Sequence, residues 1–218
     1  FDVIGPVMVG PSSSHTAGAV RIGYVARQLF GEEVREAKIL LYGSFLATGK
    51  GHGTDKALIA GLLGMAVDDR RIPDSFEIAR KMGLSYSFGI ANLTSAHPNS
   101  VVLKVKGKSG RTLEVQACSL GGGRIMINRL DGLDVNCSCE IPTLIVHNLD
   151  QPGHVAEVTS MLAHKSVNIA NMSLYRDKRG GSAVMVVEMD QPLPKESLEW
   201  LEHLEGIVKV TYINVTEG

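Results

Sequence analysis

The apolar positions of the first hundred residues alternate between helical and strand spacing. Ala19, Ile22, Ala26 and Leu29 recur at the interval that lines one face of a helix, and Gly31 stands where such a helix would stop. Ala37 to Leu46 is a nearly continuous apolar run that reads as a largely buried strand. Helical spacing returns at Leu58, Ile59, Leu62 and Leu63 ahead of Gly64, with Thr54 or Asp55 as the cap. After Pro73-Asp74-Ser75 it returns once more, with Phe76, Ala79 and Met82 on one face and Gly83 at the end. Strict alternation then takes over. Val101, Leu103 and Val105 alternate with Lys104 and Lys106, and Leu113, Val115 and Ala117 with Glu114 and Gln116, around Gly107-Lys108-Ser109-Gly110. That is a β-hairpin, and Arg124 to Leu130 follows as a further strand. Helices beside a mainly antiparallel sheet make an α+β domain over residues 1–132.

Residues 133–141 are polar, lack an evident period and read as a linker. From 142 to 218 the pattern changes. Thr143 to His147 is an apolar strand, and Asn148 to Gly153 a turn. Val155, Val158, Met161 and Leu162 mark a helix, and Val167 to Tyr175 a strand. Asp177 to Gly181 turns the chain into a strand over Ala183 to Met189. Pro194 opens a helix with Leu198, Leu201 and Leu204, and Ile207 to Val215 is the last strand. The order βαββαβ is the ferredoxin-like arrangement.

Composition narrows the field. The 218 residues are 44% hydrophobic and 21% charged, with a net charge of -1, so no basic footprint points to nucleic acid. No apolar run reaches the roughly 20 residues needed to cross a bilayer, and the start carries no signal-peptide pattern. Three cysteines do not make a disulfide framework, and a cytoplasmic location is the expectation. Cys137-Ser138-Cys139 lacks the second cysteine pair of a structural zinc site, so no metal ligands are expected there, and Cys118 reads as a small core residue.

The candidate chemistry lies in three histidine-bearing stretches. His15 and Thr16 follow Ser12, Ser13 and Ser14 at the mouth of the first helix, where spare N–H groups and the dipole favour a carboxylate or phosphate. His52 stands among Gly49, Gly51 and Gly53 in what reads as a loop; the spacing of a phosphate-binding P-loop is absent, which rejects a nucleotide site. His97 lies in Ser95-Ala96-His97-Pro98-Asn99, a loop closed by proline. His147, His154, His164 and His203 have no such context and read as structural or surface residues.

Two resemblances add to this reading. Residues 142–218, with Asp150-Gln151-Pro152-Gly153 at the first strand–helix turn and Val167-Asn168-Ile169 entering the second strand, resemble an ACT domain, a module that pairs with a second copy and binds an amino acid between them. That resemblance implies effector contacts at Asn148, Asp150, Gly153 and Asn168. The motifs at residues 10–23, 49–55, 95–99 and 119–123, ahead of an ACT domain, resemble the β-chain family of the bacterial iron-sulfur-dependent L-serine dehydratases. In that family the domain is also similar to an allosteric amino-acid-binding domain of some phosphoglycerate dehydrogenases, which suggests serine as a tethering or inhibitory ligand.

The family resemblance implies β-elimination of L-serine to pyruvate and ammonia, with a [4Fe-4S] cluster held by a partner α chain and none bound by this chain alone. It implies His15, His52 and His97 as catalytic residues, His52 being the expected proton acceptor because its glycine neighbours give access. Ser13, Ser14 and Thr16 would bind the carboxylate and Asn99 would orient it. Partners expected are L-serine, the α chain and a second copy of this chain through the ACT domains, with no nucleic acid and no membrane. A sensor that controls a partner through its ACT domain, without catalytic residues of its own, is the alternative.

Overall fold

The computed structural model describes residues 13–214; the side chains at positions 13, 14, 48 and 50–52 lie outside the described residues, as does Val215 of the last expected strand. The chain divides into two compact units, residues 1–131 and 132–218.

The first unit opens with a π-helical turn, Ser13–Ala17, that runs directly into α1, Gly18–Phe30. Gly31, at φ 78°, ends α1 as expected. β1, Val34–Leu41, alternates buried and exposed positions, but it stops five residues short of the expected strand. The stop is physical: Gly43 takes φ 58°, and a Cβ there would stand 2.9 Å from the Pro98 Cα. The chain turns there into α2, Gly43–His52. Residues 47–52, expected as a glycine-rich loop, are the last turns of this helix. Gly53, at φ 71°, then separates α2 from α3, Thr54–Leu62, which has neither Thr54 nor Asp55 as a side-chain cap.

α1 and α3 pack together through glycines. A Cβ on Gly61 would overlap the Val20 carbonyl and stand 2.6 Å from the Tyr24 nitrogen, and one on Gly23 would stand 2.9 Å from the Leu62 nitrogen. After α4, Ser75–Met82, whose Met82 is exposed rather than packed, come β2, Ser85–Ile90, β3, Ser100–Gly107, β4, Thr112–Gly121, and β5, Arg124–Leu130. Their order is β2-β1-β3-β4-β5. β2 is parallel to β1 and the other neighbouring pairs are antiparallel, with α1 against β4 and β5.

The second unit begins with β6, Leu133–Cys137. These residues, expected as linker, do carry a strand period: Val135 and Cys137 are buried while Asp134 and Asn136 are exposed. Then follow β7, Thr143–Leu149, α5, His154–His164, β8, Ile169–Arg176, β9, Ser182–Met189, α6, Lys195–Glu202, and β10, Ile207–Ile213. The sheet order β10-β7-β9-β8, all antiparallel, with both helices on one core of Leu144, Val146, Val158, Leu162, Met185 and Leu201, is the expected ferredoxin-like fold.

Candidate functional site

The helical backbone that precedes α1 decides how His15 is held. Ala17 occupies the position before α1 in helical conformation and no side chain caps it, while the side chains of Ser12, Ser13 and Ser14 lie outside the described residues. His15 and Thr16 lie in the first turn of this helical run, and Thr16 is buried. The half-buried His15 ring shares a 3.1 Å hydrogen bond through Nε2 with Ser44 Oγ in the first turn of α2. Its face meets the buried Phe45 ring with centroids 5.5 Å apart. These two contacts hold an imidazole that would otherwise rotate.

The same first turn of α2 gathers the loop between β2 and β3. Ser44 N donates to Pro98 O at 2.7 Å, and Tyr42 N to Ser100 O at 3.1 Å. In that loop Asn99 N donates to His97 Nδ1 at 3.1 Å, on an exposed side chain. Asn99 O accepts from Ser119 N at 3.0 Å, and the buried Asn99 Oδ1 and Ser119 Oγ have no hydrogen-bond partner among the described residues. Ser119 in turn fills the notch left by Gly18, where a Cβ would overlap its hydroxyl. His15, Ser44, His97, Asn99 and Ser119 thus form one chain of contacts drawn from four separate stretches of sequence.

Ser44 and Ser119 were not singled out by sequence reasoning. Ser44 lies in an apolar run that reads as strand, whereas Ser119 opens the motif at residues 119–123, the one signal in the sequence that points to it. His52 closes α2 about 12 Å along the helix from Ser44, at 1.5 Å per residue. Its side chain, with those of Ser13 and Ser14, lies outside the described residues.

In the second unit the implied effector residues fall at two ends of the sheet. Asn148 donates through Nδ2 to Leu149 O at 2.7 Å while its Oδ1 is buried without a partner. Asp150 accepts from Gly180 N at 2.9 Å and from Arg176 at 3.0 Å. The Gly180 N–H, then the Arg176 guanidinium, hold its carboxyl below the usual carboxylate range. Gly153, at φ 109°, precedes α5. Asn168 lies at the far end, bonded through Nδ2 to Asp190 and through its backbone N–H to Gln191. The length of β9, about 23 Å at 3.3 Å per residue, separates the two groups. One chain does not bring them together.

His154, set aside in the sequence, is a buried residue at the start of α5. Its Nδ1 lies 3.0 Å from Glu157 Oε2, and its Nε2 is buried without a partner against Gly206.

Comparison with known proteins gives a consistent picture. Residues 1–87 match the family model described as serine dehydratase beta chain, and residues 142–204 match the ACT domain. The chain is 42% identical to the probable L-serine dehydratase, beta chain, of Bacillus subtilis, covering 98% of this chain and 96% of that one. It is 37% identical to the L-serine dehydratase, beta chain, of Peptoniphilus asaccharolyticus, covering 99% and 97%. D-3-phosphoglycerate dehydrogenase of Bacillus subtilis is 26% identical over 90% of this chain, which corresponds to 37% of the dehydrogenase.

Proposed function

The chain belongs to the serine dehydratase β-chain family, and from that premise we propose that it is the subunit that completes the active site of an L-serine ammonia-lyase on an α chain. The observation that carries this reading is the contact between His15 and Ser44, together with the Ser44–Pro98 bond that draws in the His97 loop. β-Elimination needs a base for a weakly acidic α-proton, a donor for the departing hydroxyl and anchors for carboxylate and ammonium.

In this reading His52 takes the α-proton and His15, oriented by Ser44 and Phe45, completes the proton path. His97, on the loop that Ser44 holds through Pro98, would serve the departing hydroxyl. Ser13, Ser14 and Thr16 would take the carboxylate and Asn99 would orient it.

The chain's own thiols do not fit a [4Fe-4S] cluster. Cys118, Cys137 and Cys139 are buried, Cys118 in the first unit and the other two in the second, and no group of three metal-ligating side chains occurs among the described residues. The α chain would therefore hold the cluster, which supplies Lewis acidity toward serine's oxygens when bound. Three free thiols agree with a reducing, cytoplasmic setting.

Pairing through the ACT domains follows from the split effector residues. β8 is a sheet edge, and a second copy running antiparallel along it would carry its Asn168 toward the Asp150 end of the first. A sensing role beside catalysis is favoured by two buried atoms without partners near the β7–α5 turn, Asn148 Oδ1 and His154 Nε2.

The deciding experiment measures pyruvate release from L-serine by this chain alone and with its α chain under strict exclusion of oxygen. Activity in the mixture only is the expected result. No activity with a demonstrably intact cluster would overturn the catalytic reading and leave the sensor.

A further inference from the structure

Cys137 and Cys139 have no part in the chemistry above, yet their sulfurs lie 3.2 Å apart with both residues fully buried. In an extended strand, residues two apart stand on one face but nearly 7 Å apart, too far for sulfurs to touch. What closes the gap is the backbone. β6 ends at Cys137, and Cys139 takes the left-handed conformation, φ 54°, uncommon for a residue with a Cβ, folding its thiol back over its neighbour. Reaching the bonding distance of about 2.0 Å requires an approach of about 1.2 Å.

We infer that Cys137 and Cys139 form a reversible thiol–disulfide pair that responds to hydroperoxides. The Cys139 S–H, hydrogen-bonded to Cys137, favours the thiolate of Cys137, whereas burial pushes the Cys118 thiol up and keeps it protonated. The Cys137 thiolate attacks one peroxide oxygen, breaking the O–O bond to give a sulfenic acid and hydroxide from hydrogen peroxide, or an alkoxide from an organic hydroperoxide. The Cys139 sulfur then displaces the hydroxyl from that sulfenic acid. A disulfide forms and water leaves; two sulfurs are oxidised by one electron each and the two peroxide oxygens reduced by one each.

Access comes through the turn itself. Ser138 is half-buried and Glu140 exposed; two long bonds, Glu140 N to Ser138 Oγ and Ser138 Oγ to Glu188 Oε1, both 3.3 Å, stand beside the 2.8 Å bond from Thr143 Oγ1 to Ile141 O. Both thiols are buried, so their oxidation requires a local opening of this turn. Closing the pair would fix the turn that leads into β7.

The test treats the full chain, purified reduced, with hydrogen peroxide, then denatures it, alkylates free thiols and weighs the peptides. Expected is a peptide containing Cys137 and Cys139 that has lost two hydrogens and accepts no alkyl group, restored by a dithiol, with Cys118 still alkylated. In Cys139→Ser a sulfenic acid at Cys137, trapped by dimedone, should replace the disulfide. Full alkylation of both cysteines after peroxide, independent over-oxidation of each, or equal oxidation of Cys118 would overturn the proposal.

Discussion

His15 Nε2 and Ser44 Oγ, 29 residues apart in sequence, meet at 3.1 Å, and this contact links the turn before α1 to the first turn of α2. If it orients a proton-transferring imidazole, His15→Ala should lower turnover of the reconstituted enzyme by about 100-fold or more. Ser44→Ala should lower it less, since Phe45 still holds the ring. Steady-state pyruvate formation measures both, and a Ser44→Ala loss as large as that of His15→Ala would mean that Ser44 does more than orient.

The notch between Gly18 and Ser119 makes a prediction about stability. Gly18→Ala places a Cβ on the Ser119 hydroxyl and 2.7 Å from its Cβ, an overpacking expected to cost about 1–3 kcal/mol. Ser119→Gly in the same chain should recover much of that loss. A double-mutant cycle by urea unfolding would show it as a coupling energy.

Gly61→Ala tests which of two opposing effects wins. In an exposed helix interior the change would add roughly 1 kcal/mol of stability through helix propensity. Here the new methyl meets the Val20 carbonyl and the Tyr24 nitrogen, backbone atoms that cannot rotate away. The expected sign is destabilising, read as a fall in the urea midpoint at unchanged slope.

Asp150 predicts a pH dependence. Its folded carboxyl titrates below its unfolded value because of the Gly180 N–H and Arg176, so its contribution is fully present above the unfolded carboxylate range. That contribution is lost as pH falls through the folded value. Asp150→Asn should therefore lower stability at neutral pH and flatten its decline in acid, with the two chains converging there. Parallel unfolding curves across pH would contradict this.

Amino-acid binding by the isolated chain, followed by calorimetry, should weaken in His154→Ala as well as in Asn168→Ala. An unaltered affinity in His154→Ala would return that buried imidazole to a packing role.

The sequence by itself determined the elements that local chemistry dictates. Alternation fixed the β3–β4 hairpin; helical spacing ended by glycine fixed α1 and α4; the βαββαβ order fixed the second fold. The four motifs pointed to the family. Only the tertiary structure decided where α2 begins, because an apolar run is silent on whether it stays extended. Gly43, pressed against Pro98, makes the turn. β6 likewise had too short a period, five residues, to stand out from its polar neighbours. Ser44 and Ser119 gain meaning only from partners in distant stretches, and Asn168 and Asp150 are parted by the length of β9, a separation set by antiparallel register rather than by spacing along the chain.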